Sequence, residues 1–189
     1  MYSMFYGCRG LKNIILPNES EGHYFGTHAS NLSSMFESCS NLKNIELNGN
    51  FGKDASTIKG MFRSCYSLTN VCISGGFGEK ATNMQETFAN CYNLKELSFG
   101  PTFGGAATNL NGLFNNCSQL RNLNFGTNSQ FGNASQSSVE FDCSHMLREC
   151  NSLRSIDLSN FKLSTNENII YDEMLLGLKS LSEFTISDK

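Results

Sequence analysis

Eight cysteines occur in 189 residues, and four of them, Cys39, Cys65, Cys91 and Cys117, stand 26 residues apart. Thiols offer disulfide cross-linking, zinc ligation and nucleophilic attack. Zinc needs about four convergent ligands, and no Cys-x-x-Cys pair is present. The loosest grouping is Cys143, His145 and Cys150, with His23 and His28 in a separate loop. Nucleophilic catalysis needs a base beside the nucleophile and a third group to orient it. The three His fall in or near irregular segments, and no nucleophile motif surrounds them. No glycine-rich phosphate loop follows a strand pattern. The carboxylates Glu46, Glu96 and Asp157 occupy outward strand positions in different repeats, which suits a solvated face better than an acid–base pair. No catalytic, cofactor-binding or metal site is therefore assigned.

The elements that carry these cysteines repeat. The copies read Met35-Phe36-x-x-Cys39-x-x-Leu42, Met61-Phe62-x-x-Cys65-x-x-Leu68, Thr87-Phe88-x-x-Cys91-x-x-Leu94 and Leu113-Phe114-x-x-Cys117-x-x-Leu120. Met4-Phe5-x-x-Cys8-x-x-Leu11 precedes them and Met146-Leu147-x-x-Cys150-x-x-Leu153 follows. A last copy, Met174-Leu175-x-x-Leu178-x-x-Leu181, puts Leu in the Cys slot. A fixed period of roughly 20 to 50 residues marks a solenoid. We expect one solenoid over 1–189, α/β in class, with about seven repeats, a parallel sheet on one face and short helices on the other.

Within a repeat, Phe77-Gly78 opens a turn, and Gly recurs there as Gly26, Gly52, Gly104 and Gly132. Thr82 with Gln85 three residues on reads as a capping box. Met84, Thr87, Phe88 and Cys91 follow at offsets 0, 3, 4 and 7, the stripe of a two-turn helix. Leu97 and Phe99 then alternate with polar neighbours, the mark of a short strand with one buried face. Equivalent inward pairs are Ile14 and Leu16, Ile45 and Leu47, Val71 and Ile73, Leu123 and Phe125, Ile156 and Leu158, and Phe184 and Ile186.

This phasing decides the thiol question. Six cysteines share one slot and are expected as an inward column; Cys143, in the slot of Leu32 and Met84, is expected in the core. Free Cys packs as a small hydrophobe, and parallel side chains suit a bridge poorly. Cys72 lies between inward Val71 and Ile73, so it is expected outside and the most reactive.

The outward strand positions form a ladder of Asn13 and Ile15, Asn44 and Glu46, Asn70 and Cys72, Glu96 and Ser98, Asn122 and Asn124, Ser155 and Asp157, and Glu183 and Thr185. The candidate partner-binding face is Asn44, Glu46, Asn70, Cys72, Glu96, Ser98, Asn122, Asn124 and Asp157. Lys12, Lys43, Lys95, Arg121 and Arg154 make a basic column; stems lying over the core edge explain it, and a polyanion-binding ridge is the bolder reading. Extra residues at 17–24, 133–140 and 162–170 break the period; they are loop-length drift or binding loops. Four glycosylation sequons begin at Asn18, Asn31, Asn116 and Asn133.

Composition narrows the classes. Charged residues are 16%, below the roughly 25% usual for soluble domains, and Asn occurs 23 times. A net charge of −3 argues against general affinity for nucleic acid or anionic membranes. No apolar run reaches a membrane span, and no secretory signal is visible. The first copy is already in register near Met1, so a segment of a longer protein is expected.

The Met-Phe-x-x-Cys-x-x-Leu-x-x-Leu-x-Leu phrase, followed by Phe and then Thr-Asn-Met, as in Ala81–Phe99 and Cys150–Phe161, resembles the BspA-like leucine-rich-repeat surface proteins. Phe-Gly stands where that family commonly has Phe-Asp. The resemblance implies a right-handed leucine-rich-repeat fold. It also implies a bacterial or protist cell-surface protein, without catalytic residues or cofactors, that adheres to protein or glycan partners. A non-enzymatic interaction module is the reading adopted. A structural stalk displaying another domain and an intracellular repeat scaffold are its alternatives.

Overall fold

The computed structural model describes residues 1–15, 25–47, 51–73, 75–100, 102–125, 131, 140–161 and 168–186. Short strands form, most of them where apolar and polar residues alternate just after the Leu that follows each repeat's Cys slot. They are β1 (Asn13–Ile15), β2 (Asn44–Leu47), β3 (Asn70–Ile73), β4 (Glu96–Ser98) and β5 (Asn122–Asn124), then β6 (Phe141–Asp142), β7 (Ser155–Leu158), β8 (Ile169–Ile170) and β9 (Glu183–Ile186). β1 to β5 make one parallel sheet in chain order, and every pair is in register with the repeat: Asn44 faces Asn70, and Leu97 faces Leu123. β7 pairs with β9, and β6 with β8, as separate two-stranded sheets. The seven expected strands thus do not make one continuous sheet: the ladder stops at β5.

The expected helices are absent; no helix occurs among the described residues. The segment Leu32–Cys39 is a chain of turns instead. Met35 N–H donates to Leu32 C=O, Glu37 to Ser34 and Cys39 to Phe36, each three residues back. The intervening amides reach the next coil: Ser34 to Lys59, Phe36 to Met61 and Ser38 to Arg63, at 2.8 to 2.9 Å. Ser34 and Ser38 carry positive φ of 54° and 61°. The same two slots are left-handed at Gly60 and Ser64, Glu86 and Asn90, and Gly112 and Asn116. Left-handed residues every four positions prevent a helix but keep Leu32, Met35, Phe36 and Cys39 on one side.

Spacing gives the reason. Packed α-helices need about 8–10 Å between axes, whereas strands lie about 4.8 Å apart. Turns match the strand pitch on the opposite wall, so one apolar column can run through both. The Phe5, Phe36, Phe62, Phe88 and Phe114 rings stack at 5.3 to 5.6 Å. Phe25, Phe51, Phe77 and Phe103 form a second column at 6.2 to 6.3 Å. The glycine after each of these phenylalanines is needed on two counts. Gly104 has φ of 73°, and a Cβ there would lie 2.0 Å from the Phe131 ring.

The capping box is also corrected. Thr82 Oγ1 donates to Ser56 C=O, and the residue that caps the turn is Asn83, whose Oδ1 accepts from Gln85 N–H at 3.0 Å. Asn31, Asn109 and Asp142 do the same for Ser33, Asn111 and Ser144. These capping residues stack as parallel bridges, Asn31 to Thr57 to Asn83 to Asn109 to Asp142.

The cysteine column forms with an added role. Cys65 Sγ donates to Phe36 C=O, Cys91 to Phe62, Cys117 to Phe88 and Cys150 to Phe114, at 3.1 to 3.3 Å. Burial pushes the Cys91, Cys143 and Cys150 thiols up to about 12, and it moves Cys65 and Cys117 the same way. All eight cysteines are unpaired. Cys8 departs from the expected inward column: it is exposed, like Cys72. Phe184 and Ile186, expected inward, are likewise 46% exposed. Each coil is buried by its neighbours, and among the described residues the first and last coils have one neighbour only. Leu16, residues 17–24 and most of the 133–140 and 162–170 insertions lie outside the described residues.

Candidate functional site

The candidate face is built by register. Parallel pairing without slip puts equivalent residues of successive coils side by side, so the outward positions become two columns. Asn13, Asn44, Asn70, Glu96 and Asn122 form one; Ile15, Glu46, Cys72, Ser98 and Asn124 form the other, and all are exposed. In the first column the side chains bond to one another. Asn44 Nδ2 donates to Asn13 Oδ1 at 2.9 Å, Asn70 Nδ2 to Asn44 Oδ1 at 2.8 Å, and Asn122 Nδ2 to Glu96 Oε1 at 2.9 Å. Cross-strand pairs of this kind contribute roughly 0.2–1 kcal/mol each. Their greater effect is to fix the amides before any partner arrives.

Of the nine sequence-selected residues, Asn44, Glu46, Asn70, Cys72, Glu96, Ser98 and Asn122 share this surface. Asn124 sits at its margin on β5. Asp157 lies beyond the break, on β7, where its Oδ1 accepts from Ser159 N–H at 2.8 Å. Between β5 and β7 opens a polar hollow of about 490 Å³, lined by Asn124, Ser155, Asp157, Asn160, Glu183 and Thr185 among others. Glu46 and Glu96 stand on strands two apart, roughly 9.6 Å by strand spacing, and in different columns. They do not form an acid–base pair.

One feature of the flank was not foreseen. Tyr66 and Tyr92, each directly after its repeat's Cys, stack at 5.4 Å and are more than 40% exposed. Their shared phase, 26 residues apart, is the signal in the sequence. Lys12, Lys43, Lys95, Arg121 and Arg154 are all exposed along the same wall. On the turn wall, Arg63 bridges Glu37 and Glu86 at 2.6 Å each, and Glu37, foremost, raises the guanidinium pKa. Asp54 accepts from Lys80 at 2.6 Å and contacts His28 at 3.0 Å; these two partners, Lys80 first, hold its carboxyl below the usual range.

The metal grouping is dispersed. Cys143 Sγ donates to Ile170 C=O, Cys150 Sγ to Phe114 C=O, and His145 Nε2 faces Glu173 at 3.3 Å. Among the described residues, no cluster of three or more His, Cys, Asp or Glu is placed to hold a metal ion. No helix among them is long and apolar enough to cross a membrane. Two sequon asparagines are engaged, Asn31 in its turn and Asn116 with Asn90; Asn18, Asn133 and His23 lie outside the described residues.

Residues 2–141 match the family model described as BspA type leucine rich repeat region, in six copies. The chain belongs to the BspA-type leucine-rich-repeat family. Its match to a solved structure of TLR13 in complex with ssRNA13 has 24% identity and a TM-score of 0.48, covering 79% of this chain and 19% of that one. A leucine-rich repeat protein from Bacteroides ovatus matches at 19% identity and TM-score 0.44, over 85% of this chain and 43% of that one. A leucine rich cell surface protein from Faecalibacterium prausnitzii matches at 14% identity and TM-score 0.28, over 98% and 75%. The chain thus spans less than half of the first two. No curated protein matches it.

Proposed function

We propose that the outward sheet face is a non-enzymatic binding surface for a protein or glycan partner, displayed at a cell surface in an adhesive role. The asparagine ladder carries this reading. Asn44, Asn70 and Asn122 present amides already fixed by Asn13 and Glu96, so little side-chain entropy is lost when a partner docks. The Tyr66–Tyr92 pair beside it supplies the rigid aromatic area that binding hot spots favour. Membership of the BspA-type family supports display and adhesion.

The test is a glycan and matrix-protein array probed with the chain and with Asn44→Ala, Asn70→Ala and Asn122→Ala. A ligand whose binding falls at least tenfold in two of the three variants supports the reading. A ligand that binds all variants equally moves the site off this face. An array with no ligand favours the stalk. The intracellular scaffold draws on the eight unpaired thiols; partners captured only under reducing conditions would favour it.

A further inference from the structure

The corner between the turn wall and the sheet carries two rows in one phase of the repeat. Tyr66 and Tyr92 directly follow the Cys slot, and three residues further on stand Lys43, Lys95, Arg121 and Arg154, with Thr69 interrupting the row. All six lie on interior coils and are exposed. Lys43 and Lys95 are two coils apart, roughly 9.6 Å, and Lys95 and Arg121 one coil apart, roughly 4.8 Å by strand spacing.

These cations lack acidic partners. Arg63 and Lys80 on the turn wall are ion-paired, whereas none of the four is paired with an acid among the described residues. Glu96, next to Lys95 in sequence, belongs to the sheet face and accepts from Asn122 Nδ2. Like charges side by side on neighbouring coils are destabilising, and an anion laid across Lys95 and Arg121 relieves that cost.

The corner is also rigid. Arg121 N–H donates to Lys95 C=O at 2.8 Å, Thr69 N–H to Lys43 C=O at 3.0 Å, and Asn93 Nδ2 to Tyr66 C=O at 2.7 Å. The tyrosine rings stack on each other at 5.4 Å and 8°. In the coils on either side, the same slot holds the small residues Ser40 and Ser118, so the outer face of each ring has no bulky neighbour in its own row. Aromatic faces carry partial negative charge and attract polarised C–H groups, such as those of a pyranose.

We propose that this corner binds a linear anionic saccharide, its sulfate or carboxylate groups on Lys43, Lys95 and Arg121 and its ring C–H faces against Tyr66 and Tyr92. Such a chain alternates charged substituents with uncharged ring faces, as the corner alternates cations with aromatic faces. Nucleic acid fits less well: rings 5.4 Å apart admit no base between them, and the net charge of −3 opposes a densely charged backbone. The site shares the tyrosine pair with the face proposed above and does not use the asparagine ladder.

The experiment is surface plasmon resonance of the 189-residue chain on immobilised heparin and on hyaluronan across a salt series. Heparin binding persists at physiological salt. Lys95→Ala and Arg121→Ala each lower the slope of log affinity against log salt by roughly one. Tyr92→Ala weakens binding about fivefold or more and leaves that slope unchanged. Lys59→Ala, the same charge change at an exposed turn-wall position, and Asn70→Ala, on the ladder, alter neither quantity, so failure here and failure of the ladder reading are separately visible. Hyaluronan held as tightly as heparin assigns the contact to carboxylates; heparin held alone assigns it to sulfates. Loss of heparin at physiological salt, a Lys95→Ala effect no larger than that of Lys59→Ala, a Tyr92→Ala variant that binds like the parent, or equal binding to polyglutamate or single-stranded DNA overturns the inference.

Discussion

Raising the pH above 9 should unfold this protein through its cysteines. Burial holds the Cys91 and Cys150 thiols near 12, against an ordinary 9.0, and displaces Cys65 and Cys117 in the same direction. The folded state therefore keeps protons that the unfolded chain gives up. The stabilisation is fully present below pH 9 and is lost as pH climbs from about 9 towards 12. At pH 10 an unfolded thiol of pKa 9 is about 90% thiolate, and its ionisation favours unfolding by about 1.4 kcal/mol. Four such thiols together amount to between about 5 and 6 kcal/mol, comparable with the whole stability of a typical domain. Urea unfolding at pH 8 and pH 10 measures the loss, and thiolate absorbance follows the same transition. The control is Cys91→Ala with Cys117→Ala. That pair costs stability at every pH but reduces the pH 8 to 10 loss by about 3 kcal/mol. A thiol reagent at pH 8 should label Cys8 and Cys72 in the native protein, and the other six only on unfolding. Equal losses in parent and control, or eight thiols labelled natively, would refute the reasoning.

Phe88→Ala removes a fully buried ring stacked on Phe62 at 5.3 Å and Phe114 at 5.6 Å. It should cost about 3–5 kcal/mol in chemical unfolding, and an unchanged midpoint would mean the column is not buried. Gly104→Ala meets both a positive φ and the Phe131 ring. It should destabilise by more than the roughly 1 kcal/mol that backbone conformation alone entails, whereas Gly105→Ala, which meets no close contact, should not; circular-dichroism melts of the two compare them directly.

The period, the inward columns and the outward face were legible because all depend on which side of the chain a residue occupies. The helix was misread because offsets 0, 3, 4 and 7 describe a two-turn helix and a run of successive turns equally well. What separates them is where the amide hydrogens go, and hydrophobic spacing is blind to that. Another signal was present: Ser34 and Ser38, Gly60 and Ser64, Glu86 and Asn90, and Gly112 and Asn116 put residues that are mostly small or polar at fixed four-residue steps. Such residues tolerate the left-handed region. The capping slot of Asn31, Thr57, Asn83, Asn109 and Asp142 was legible in the same way. The break after β5 was not, although it coincides with the longer interval from Cys117 to Cys150; the interval shows that a loop grew, not which wall gives way. On the turn wall, Leu110 N–H still reaches Asp142 C=O at 2.7 Å, so the splay is confined to the sheet.

The thiol column bears on where such a chain can work. Its slot must be small enough for a pitch near 5 Å and apolar enough to stay dry. It must also supply a donor to a Phe carbonyl that already accepts one N–H. Ala meets the first two conditions without the third; Ser meets the third at a greater cost of burial; Cys meets all three. Leu178 stands in the slot in the last described coil. A thiol held protonated, dry and bonded in this way reacts poorly with oxidants, which attack the thiolate. Unpaired cysteines in this column are therefore compatible with an oxidising exterior and with a reducing cytoplasm alike. The compartment is registered by Cys72, which reaches solvent on the interior strand β3, and its oxidation state in protein taken from its native source separates display from an intracellular scaffold.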